Sequence, residues 1–428
     1  MTVLRGRAAA ARSLLGGATG TTAAANLVIL AGSALGGIVS ARALGPAGRG
    51  QLALATLWPT LIQIVGSMGL QSSCSYHIAQ WPRRRAALLR WLRFVIPLQA
   101  VAMTAVSAAT LWALCLELRL DRILAAEYST WAAGATISLY GVCCAQGSRD
   151  FARFNQLRLI AGAVPAVLML AGAAALRLTP AEAGAAYLIP TWGSALLAGL
   201  WLHRLGRQPG GEPLSPAERR SVWSYGRRSA ASLSGYTLNS NADQLTLGLL
   251  VPVSSLGIYS AAAAASSPVA SLVASVGMVR LPTVAALTGE AKTAATRRAI
   301  RQATWTLGLV APALAVALPW AIPYVYGARY AAAVVPAEVL LLGTALSALA
   351  GVADDMLRAH GHPGFVSITQ GAGGLITAVG TLVLARHSLS AVAAASSLGF
   401  AFALALALAR LRAAGHRGSH RAGPGTTR

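Results

Sequence analysis

The sequence predicts an all-α integral membrane protein with about 12 transmembrane helices, arranged as two six-helix lobes related by a pseudo-twofold axis along the membrane normal. Three observations lead to this prediction. Of the 428 residues, 55% are hydrophobic and only 11% are charged, and the mean hydropathy is +0.59. Long apolar stretches follow one another along the chain, and arginines cluster in every second connection between them. A soluble domain carries about 25% charged residues, so most of this chain is expected to face lipid or protein rather than water.

Each apolar stretch is long enough to cross the roughly 30 Å hydrocarbon core of a bilayer. Because backbone N–H and C=O groups in lipid must be satisfied within the segment, each stretch is predicted to be a helix. The predicted spans are residues 22–42, 51–73, 94–116, 128–148, 159–178, 183–202, 229–251, 256–279, 303–326, 335–356, 364–385 and 389–409. The seventh span differs from the others because an aspartate, Asp243, lies near its middle.

The distribution of positive charge predicts the orientation of these helices. If the N-terminus is cytoplasmic, 28 of the 35 Lys and Arg residues fall on the cytoplasmic side and 7 on the outer side. This asymmetry follows the positive-inside rule, so we expect a plasma membrane protein with both termini in the cytoplasm. The formal net charge of +23 is then explained by membrane topology, and nucleic acid is not an expected partner.

Local signals divide the chain into four parts. Ser215-Pro216-Ala217-Glu218 has the N-cap, first-turn proline and glutamate of a capping box, and the basic and aromatic residues that follow favour a short helix on an anionic lipid surface. Similar turns follow the first and seventh spans, Leu44-Gly45-Pro46 and Leu250-Val251-Pro252, as parallel repeats would produce. The predicted parts are an N-terminal lobe (1–202), a cytoplasmic linker with an interfacial helix (203–228), a C-terminal lobe (229–412) and a disordered cytoplasmic tail (413–428).

The seventh span contains a run of polar residues around Asp243. A carboxylate at mid-helix depth costs roughly 2.5–3.5 kcal/mol on membrane-insertion scales and usually faces a cavity or a partner. Asn239 lies four residues before Asp243, so the two side chains can share one helix face. With Asn241 and Gln244 they are predicted to line the path of a substrate or an ion. The alternative is an interhelical hydrogen-bond cluster that holds the bundle together.

Arg42 and Arg49 are the other candidate site residues. They flank the Leu44-Gly45-Pro46 turn on the predicted outer side, against the overall charge bias. Arginine pairs with phosphate through two hydrogen bonds, and this would suit a phosphorylated substrate. Extension of both side chains toward the lipid headgroups is the alternative interpretation.

The sequence does not predict an enzyme. It contains neither the phosphate-binding pattern G-x-x-x-x-G-K-[S/T] nor the nucleophile pattern G-x-S-x-G. The four cysteines lie in or beside apolar stretches without a C-x-x-C, so we expect no metal site and no cofactor. At the end of the tenth span, Asp354 or Asp355 is predicted to pair with Arg358.

Two parts of the sequence resemble bacterial polysaccharide flippases of the Wzx-like type. Arg42-Ala-Leu-Gly-Pro-Ala-Gly-Arg-Gly-Gln-Leu-Ala53 is similar to the signature turn after the first helix of that family. The stretch from Leu238 to Leu250, followed by Leu256-Gly-Ile-Tyr-Ser-Ala-Ala262, is similar to its seventh and eighth helices. The family belongs to the multidrug/oligosaccharidyl-lipid/polysaccharide exporter superfamily, which also contains drug extruders and the lipid II flippase.

The resemblance implies a transporter that flips a polyprenyl-diphosphate-linked oligosaccharide from the inner to the outer leaflet by alternating access, for cell-surface polysaccharide biosynthesis. The expected partners are the lipid-linked oligosaccharide, anionic membrane lipids, and a polysaccharide polymerase or glycosyltransferases. Two other functions stay open. One is a cation-coupled multidrug extruder of the same fold, in which Asp243 exchanges a cation for a drug. The other is a membrane scaffold for glycan-synthesis enzymes.

Overall fold

The computed structural model describes residues 18–175, 178–208, 212–285 and 287–420. All regular structure in these ranges is helical, as predicted. The α-helices in chain order are α1 (Ala18–Gly66), α2 (Leu70–Gln80), α3 (Arg85–Leu118), α4 (Arg122–Ser129), α5 (Trp131–Gly147), α6 (Phe151–Ala175), α7 (Pro180–Gly206), α8 (Pro216–Leu250), α9 (Val253–Ser266), α10 (Pro268–Ala285), α11 (Gly289–Tyr326), α12 (Val334–Ala359), α13 (Pro363–Leu384) and α14 (Leu389–His420), with 3₁₀ segments at Pro82–Arg84 and Ala328–Ala333.

Within the described ranges, 9 helical segments are long and apolar enough to cross a membrane. The first, Gly20–Gly66, contains the first predicted span and most of the second, because α1 continues across a kink at Gly45, where φ is 66°. The predicted spans 128–148 and 229–251 correspond to helices outside these segments. The first of the two is the short α5, with 17 residues, and the second lies in α8, which carries the polar run.

Two predicted spans are interrupted. The second ends at Gly66, because Met68 and Gly69 have positive φ values and a separate helix, α2, begins immediately after them. The eighth is divided between α9 and α10 at Ser267, because the next residue, Pro268, has no backbone N–H to donate to the preceding turn.

The described helices form two compact units. The first consists of the described residues up to Leu44 together with Trp58–Ala230, and the second consists of Gly45–Leu57 and the residues from Ala231 onward. These bounds differ from the predicted lobes, because the middle of α1 belongs with the second unit and the predicted linker belongs with the first. The predicted interfacial helix at 216–228 is not separate, since neither a proline nor a positive-φ residue interrupts α8 after its first turn.

The C-terminal helix is longer than predicted. The sequence predicts a disordered tail from residue 413, but α14 continues to His420. The residues directly after Arg412 are two alanines, and alanine has the highest helix propensity. The remaining predicted tail residues, 421–428, and the predicted cytoplasmic N-terminus, residues 1–17, lie outside the described residues.

The core of the first unit forms where α2, α3, α5 and the beginning of α8 meet. Leu88, Tyr140 and Val222 are among its fully buried side chains. Ser73 on α2 donates a hydrogen bond of 2.8 Å from its hydroxyl to the carbonyl oxygen of Val222, which ties α8 to α2.

The capping box predicted at the start of α8 is present. The backbone N–H of Ser215 donates to Oε2 of Glu218 at 2.7 Å, and the backbone N–H of Glu218 donates to Oγ of Ser215 at 3.2 Å. The first of these bonds favours the charged carboxylate and lowers the pKa of Glu218. Glu218 also lies 3.6 Å from the Arg84 guanidinium. The start of α8 is therefore fixed by its own cap and by Arg84, which lies at the end of the 3₁₀ segment Pro82–Arg84.

The core of the second unit is formed mainly by α12, α13 and α14. Met356 and Leu357 on α12, Val366 on α13 and Leu404 on α14 are buried together in one apolar cluster. Two of these helices place a polar side chain beside the polar run of α8: Gln370 on α13 and Ser396 on α14.

Candidate functional site

Asp243 is buried in the second unit and has an exposed fraction of only 4%. The hydroxyl of Tyr259 on α9 donates a hydrogen bond of 2.6 Å to its Oδ2, and the backbone N–H of Gln244 lies 2.7 Å from its Oδ1. The hydroxyl of Ser396 on α14 lies beside both Asp243 and Tyr259. The carboxylate is therefore surrounded by neutral hydrogen-bonding groups from three helices.

Asn239, one helical turn before Asp243, belongs to a second buried polar group in the same unit. Its Nδ2 donates a hydrogen bond of 2.7 Å to Oε1 of Gln370 on α13. Gln370 in turn donates from Nε2 to Oδ2 of Asp354 on α12 at 2.7 Å, and Thr369 donates from its hydroxyl to Oδ1 of Asp354 at 3.4 Å. Among the described residues, Oδ1 of Asn239 is buried without a hydrogen-bond partner. The side-chain amides of Asn239 and Gln370 thus link α8 to a second carboxylate, that of Asp354 on α12.

The four polar residues of the seventh span have two different environments. Asn239 and Asp243 share the buried face of α8, as their spacing of four residues predicts. Asn241 and Gln244 are half-buried, and Nδ2 of Asn241 donates to the carbonyl oxygen of Thr237 within the same helix at 3.0 Å. The structure therefore brings Asn239 and Asp243 into the core of the unit and leaves the other two at its edge.

Arg42 and Arg49 lie in different units, so we treat them as separate candidates. Arg42 is exposed in the first unit. Arg49 is half-buried in the second unit, where its positive charge acts on Tyr326 and Tyr330. The positive φ of Gly45 produces the turn between the two arginines.

The two similar turn sequences contact each other within the second unit. A Cβ atom on Gly50 would overlap the backbone carbonyl of Val253, and a Cβ atom on Gly257 would overlap that of Pro46. Glycine at both positions is what permits the two backbones to approach this closely. The contact holds residues 45–57 of α1 against α9, the helix that carries Tyr259.

Two partners in this site were not among the candidates that the sequence suggested. Tyr259 and Gln370 reach the polar face of α8 from α9 and α13, and neither lies in a polar run that marks it as special. The two acids at the end of α12 have different partners. Asp355 pairs with Arg358 at 2.7 Å, as predicted for one of them, whereas Asp354 hydrogen-bonds to Gln370.

The arrangement around Asp243 suits reversible binding of a proton or a metal cation. A buried carboxylate is unfavourable unless a positive charge or several hydrogen bonds compensate it. Its hydrogen-bond partners among the described residues are a phenol and a backbone amide, a serine hydroxyl lies nearby, and all of these groups are neutral. Binding of a cation would therefore change the charge of the unit's core and could favour one conformation of the unit over another.

The two hydrogen bonds that Gln370 donates to Asp354 and accepts from Asn239 give a first testable prediction. Gln370→Leu removes the partner of both Asn239 and Asp354, and each buried polar group left unpaired costs about 1–3 kcal/mol. We expect a lower midpoint of thermal unfolding for the purified protein in detergent. The matched control is Gln302→Leu on α11, where the glutamine contacts only the exposed Arg280 in the described bonds. Equal midpoints for the two variants would contradict the prediction.

Comparisons with known proteins identify the family and the fold. Residues 39–335 match the family described as "Polysaccharide biosynthesis protein". None of the curated protein sequences shows a significant match. The chain is similar to an inward-facing multidrug resistance MATE family transporter of the MOP superfamily, with 13% identity over 91% of this chain and 95% of that chain and a TM-score of 0.76.

Two further solved structures are also similar. The lipid II flippase MurJ in an inward closed conformation has 11% identity over 93% of this chain and 90% of that chain, with a TM-score of 0.72. A MOP superfamily transporter from Pyrococcus furiosus has 16% identity over 96% of this chain and 98% of that chain, with a TM-score of 0.59. At these identities the likeness concerns the fold. It confirms the predicted all-α, twelve-helix, two-lobe membrane class.

Proposed function

The chain belongs to the polysaccharide biosynthesis protein family, and from this membership we propose that it flips a polyprenyl-diphosphate-linked oligosaccharide from the inner to the outer leaflet of the plasma membrane. It is a multi-pass membrane protein with a transporter fold. In the proposed function it works by alternating access and has both termini in the cytoplasm. Its partners are then a polysaccharide polymerase or glycosyltransferases.

The observation that supports a coupled transporter rather than a scaffold is the buried carboxylate of Asp243. If α8 needed only a hydrogen-bond cluster to hold the unit together, an asparagine would accept the Tyr259 hydrogen bond without the cost of burying a charge. Ionisable residues inside membrane proteins are costly, and they usually mark an ion or substrate path. We therefore assign Asp243 the role of the coupling group, with Asn239, Asn241 and Gln244 beside it.

Electrostatics favours the proposed direction of transport. A diphosphate with two negative charges gains roughly 2.3 kcal/mol per charge per 100 mV when it moves out of a cell that is negative inside. A cation that enters and binds at Asp243 would provide energy for the return of the carrier. Arg42 and Arg49, which the charge distribution assigns to the outer side, are two separate proposed contacts for the diphosphate on release.

Mass spectrometry of polyprenyl-linked lipids tests this function. We expect a strain that lacks the gene to accumulate one diphosphate-linked oligosaccharide, and the wild-type gene to restore the normal lipid profile. The accumulated compound would also identify the cargo. An unchanged lipid profile in the deletion strain would contradict the proposed cargo.

A second candidate function is cation-coupled drug extrusion, which the similarity to a multidrug resistance transporter favours. A drug-accumulation assay separates the two functions. Under the leading proposal, cells that lack the protein should accumulate cationic dyes at the same rate as the wild type. Increased dye accumulation with an unchanged lipid profile would support the extruder instead.

A further inference from the structure

A groove lies in the first unit between α3, α5 and α7. Its volume is about 400 Å³, within the range of about 300–1,000 Å³ that is usual for small-molecule sites. Apolar side chains form most of its lining, including Leu92, Ile96 and Val101 of α3, Ile137 of α5 and Leu202 of α7. The groove thus has the surface of a site for a hydrocarbon chain.

Backbone features of the two long helices keep the groove open. Gly199 and Gly206 on α7 both line it and contribute no side chain. At Gly199, a Cβ atom would meet only Cγ2 of Ile137, at 3.9 Å, so the space in front of this residue is unfilled. Pro97 lines the opposite wall within α3, where it cannot donate the usual helical hydrogen bond.

Positive charge is concentrated at one end of the groove. Arg90 and Arg93 on α3 and Arg207 at the end of α7 line this end beside His203, and none of the described lining residues is acidic. The two helix ends touch there, since a Cβ atom on Gly206 would lie 3.8 Å from the backbone nitrogen of Arg90. The arginine distribution along the sequence assigns this end to the cytoplasmic side of the membrane.

The length of the groove matches one leaflet of a bilayer. Along α3 it extends from Leu89 to Val101, which is about 18 Å at roughly 1.5 Å per residue. Half of a hydrocarbon core of roughly 30 Å is about 15 Å. An acyl chain that begins at the headgroup level can therefore occupy the full length of the groove, whereas a long polyprenyl chain would extend beyond the end of the groove.

From this geometry we propose that the groove binds an anionic glycerophospholipid of the cytoplasmic leaflet. One acyl chain lies against the apolar walls, and the phosphate contacts the guanidinium groups of Arg93 and Arg207. Basic pockets between transmembrane helices on the cytoplasmic side are suited to anionic headgroups, and a guanidinium binds phosphate through paired hydrogen bonds. None of the described lining residues is among those proposed for the cargo path, so the proposal does not depend on the identity of the flipped lipid.

Native mass spectrometry of the full-length protein in detergent tests the proposal. We expect one phosphatidylglycerol to bind per protein, with phosphatidylcholine binding more weakly. Arg93→Ala combined with Arg207→Ala should reduce phosphatidylglycerol binding at least about tenfold, because both guanidinium contacts with the phosphate are lost. The matched control is Arg83→Ala with Arg204→Ala, which removes the same charge from exposed residues that do not line the groove.

A steric variant tests the apolar part of the site without any change of charge. Gly199→Leu should place its side chain in the groove and reduce phosphatidylglycerol binding, whereas Gly193→Leu on the same helix should not. Three outcomes would each overturn the proposal. They are equal losses in the two double variants, equal binding of phosphatidylcholine and phosphatidylglycerol, and displacement of phosphatidylglycerol by an equimolar polyprenyl phosphate. Matching elution profiles in size-exclusion chromatography establish that the variants fold.

Discussion

Asp243→Asn is expected to abolish transport and leave the protein folded. The amide keeps the size of the carboxylate and can still accept the hydrogen bond from Tyr259, but it cannot carry the negative charge that would bind a proton or a metal cation. A deletion strain that expresses this variant should therefore accumulate lipid-linked oligosaccharide to the level of the empty strain. Mass spectrometry of the lipids, with immunoblotting for protein abundance, measures both effects.

The matched control for this experiment is Asp355→Asn on α12. This change removes the same charge from the second unit, but Asp355 pairs with the partly exposed Arg358, and pairs of this kind contribute about 0–1 kcal/mol. The control should restore a normal lipid profile. Full complementation by Asp243→Asn would show that the carboxylate charge is not needed, and it would favour a structural hydrogen-bond cluster or a scaffold function.

Gly257→Ala is expected to disrupt the folding of the second unit. The new methyl group would overlap the carbonyl of Pro46, and because that atom belongs to the backbone, no side-chain rotation can relieve the overlap. The expected loss is roughly 3 kcal/mol or more, which is large for a single methyl group. Gly50→Ala should have a similar effect through the carbonyl of Val253. The midpoint of thermal unfolding and the monodisperse yield in detergent measure the loss.

Gly371→Ala on α13 is the control for this prediction. Apart from the adjoining residues and backbone of α13 itself, no atom of the described residues lies within 4 Å of the position that its Cβ would take, so the change should be neutral or stabilise the helix by about 0.5–1 kcal/mol. Similar unfolding midpoints for Gly257→Ala and Gly371→Ala would contradict the close contact between the two turns.

The candidate site illustrates how far local sequence signals extend. Asp243 was predicted as a candidate because a carboxylate in an apolar helix is costly, and Asn239 because a spacing of four residues places it on the same face. Their partners could not be predicted in this way. Tyr259 is 16 residues from Asp243, and Gln370 is 131 residues from Asn239, on helices whose neighbours depend on packing.

The helix boundaries also show which features nearby residues predict and which they do not. The capping box at Ser215 and Glu218 was predicted because it needs residues only three positions apart. By contrast, the sequence predicted a separate interfacial helix at 216–228, whereas α8 is continuous through this region. The local pattern indicates where a helix begins. Whether the helix then continues into the next span depends on how each of its turns packs against the rest of the protein.

By itself, the sequence determined the membrane class, the helical secondary structure and the position of the buried acid. These properties are local, because each helix satisfies its own backbone hydrogen bonds and its hydropathy follows from its own residues. Only the tertiary structure decided which hydroxyl and amide groups meet Asp243 and Asn239, that Gly50 and Gly257 lie against the backbone carbonyls of Val253 and Pro46, and that three arginines line one end of an apolar groove. Such contacts join helices that are distant in the chain, and the packing of side chains across them determines which helices become neighbours.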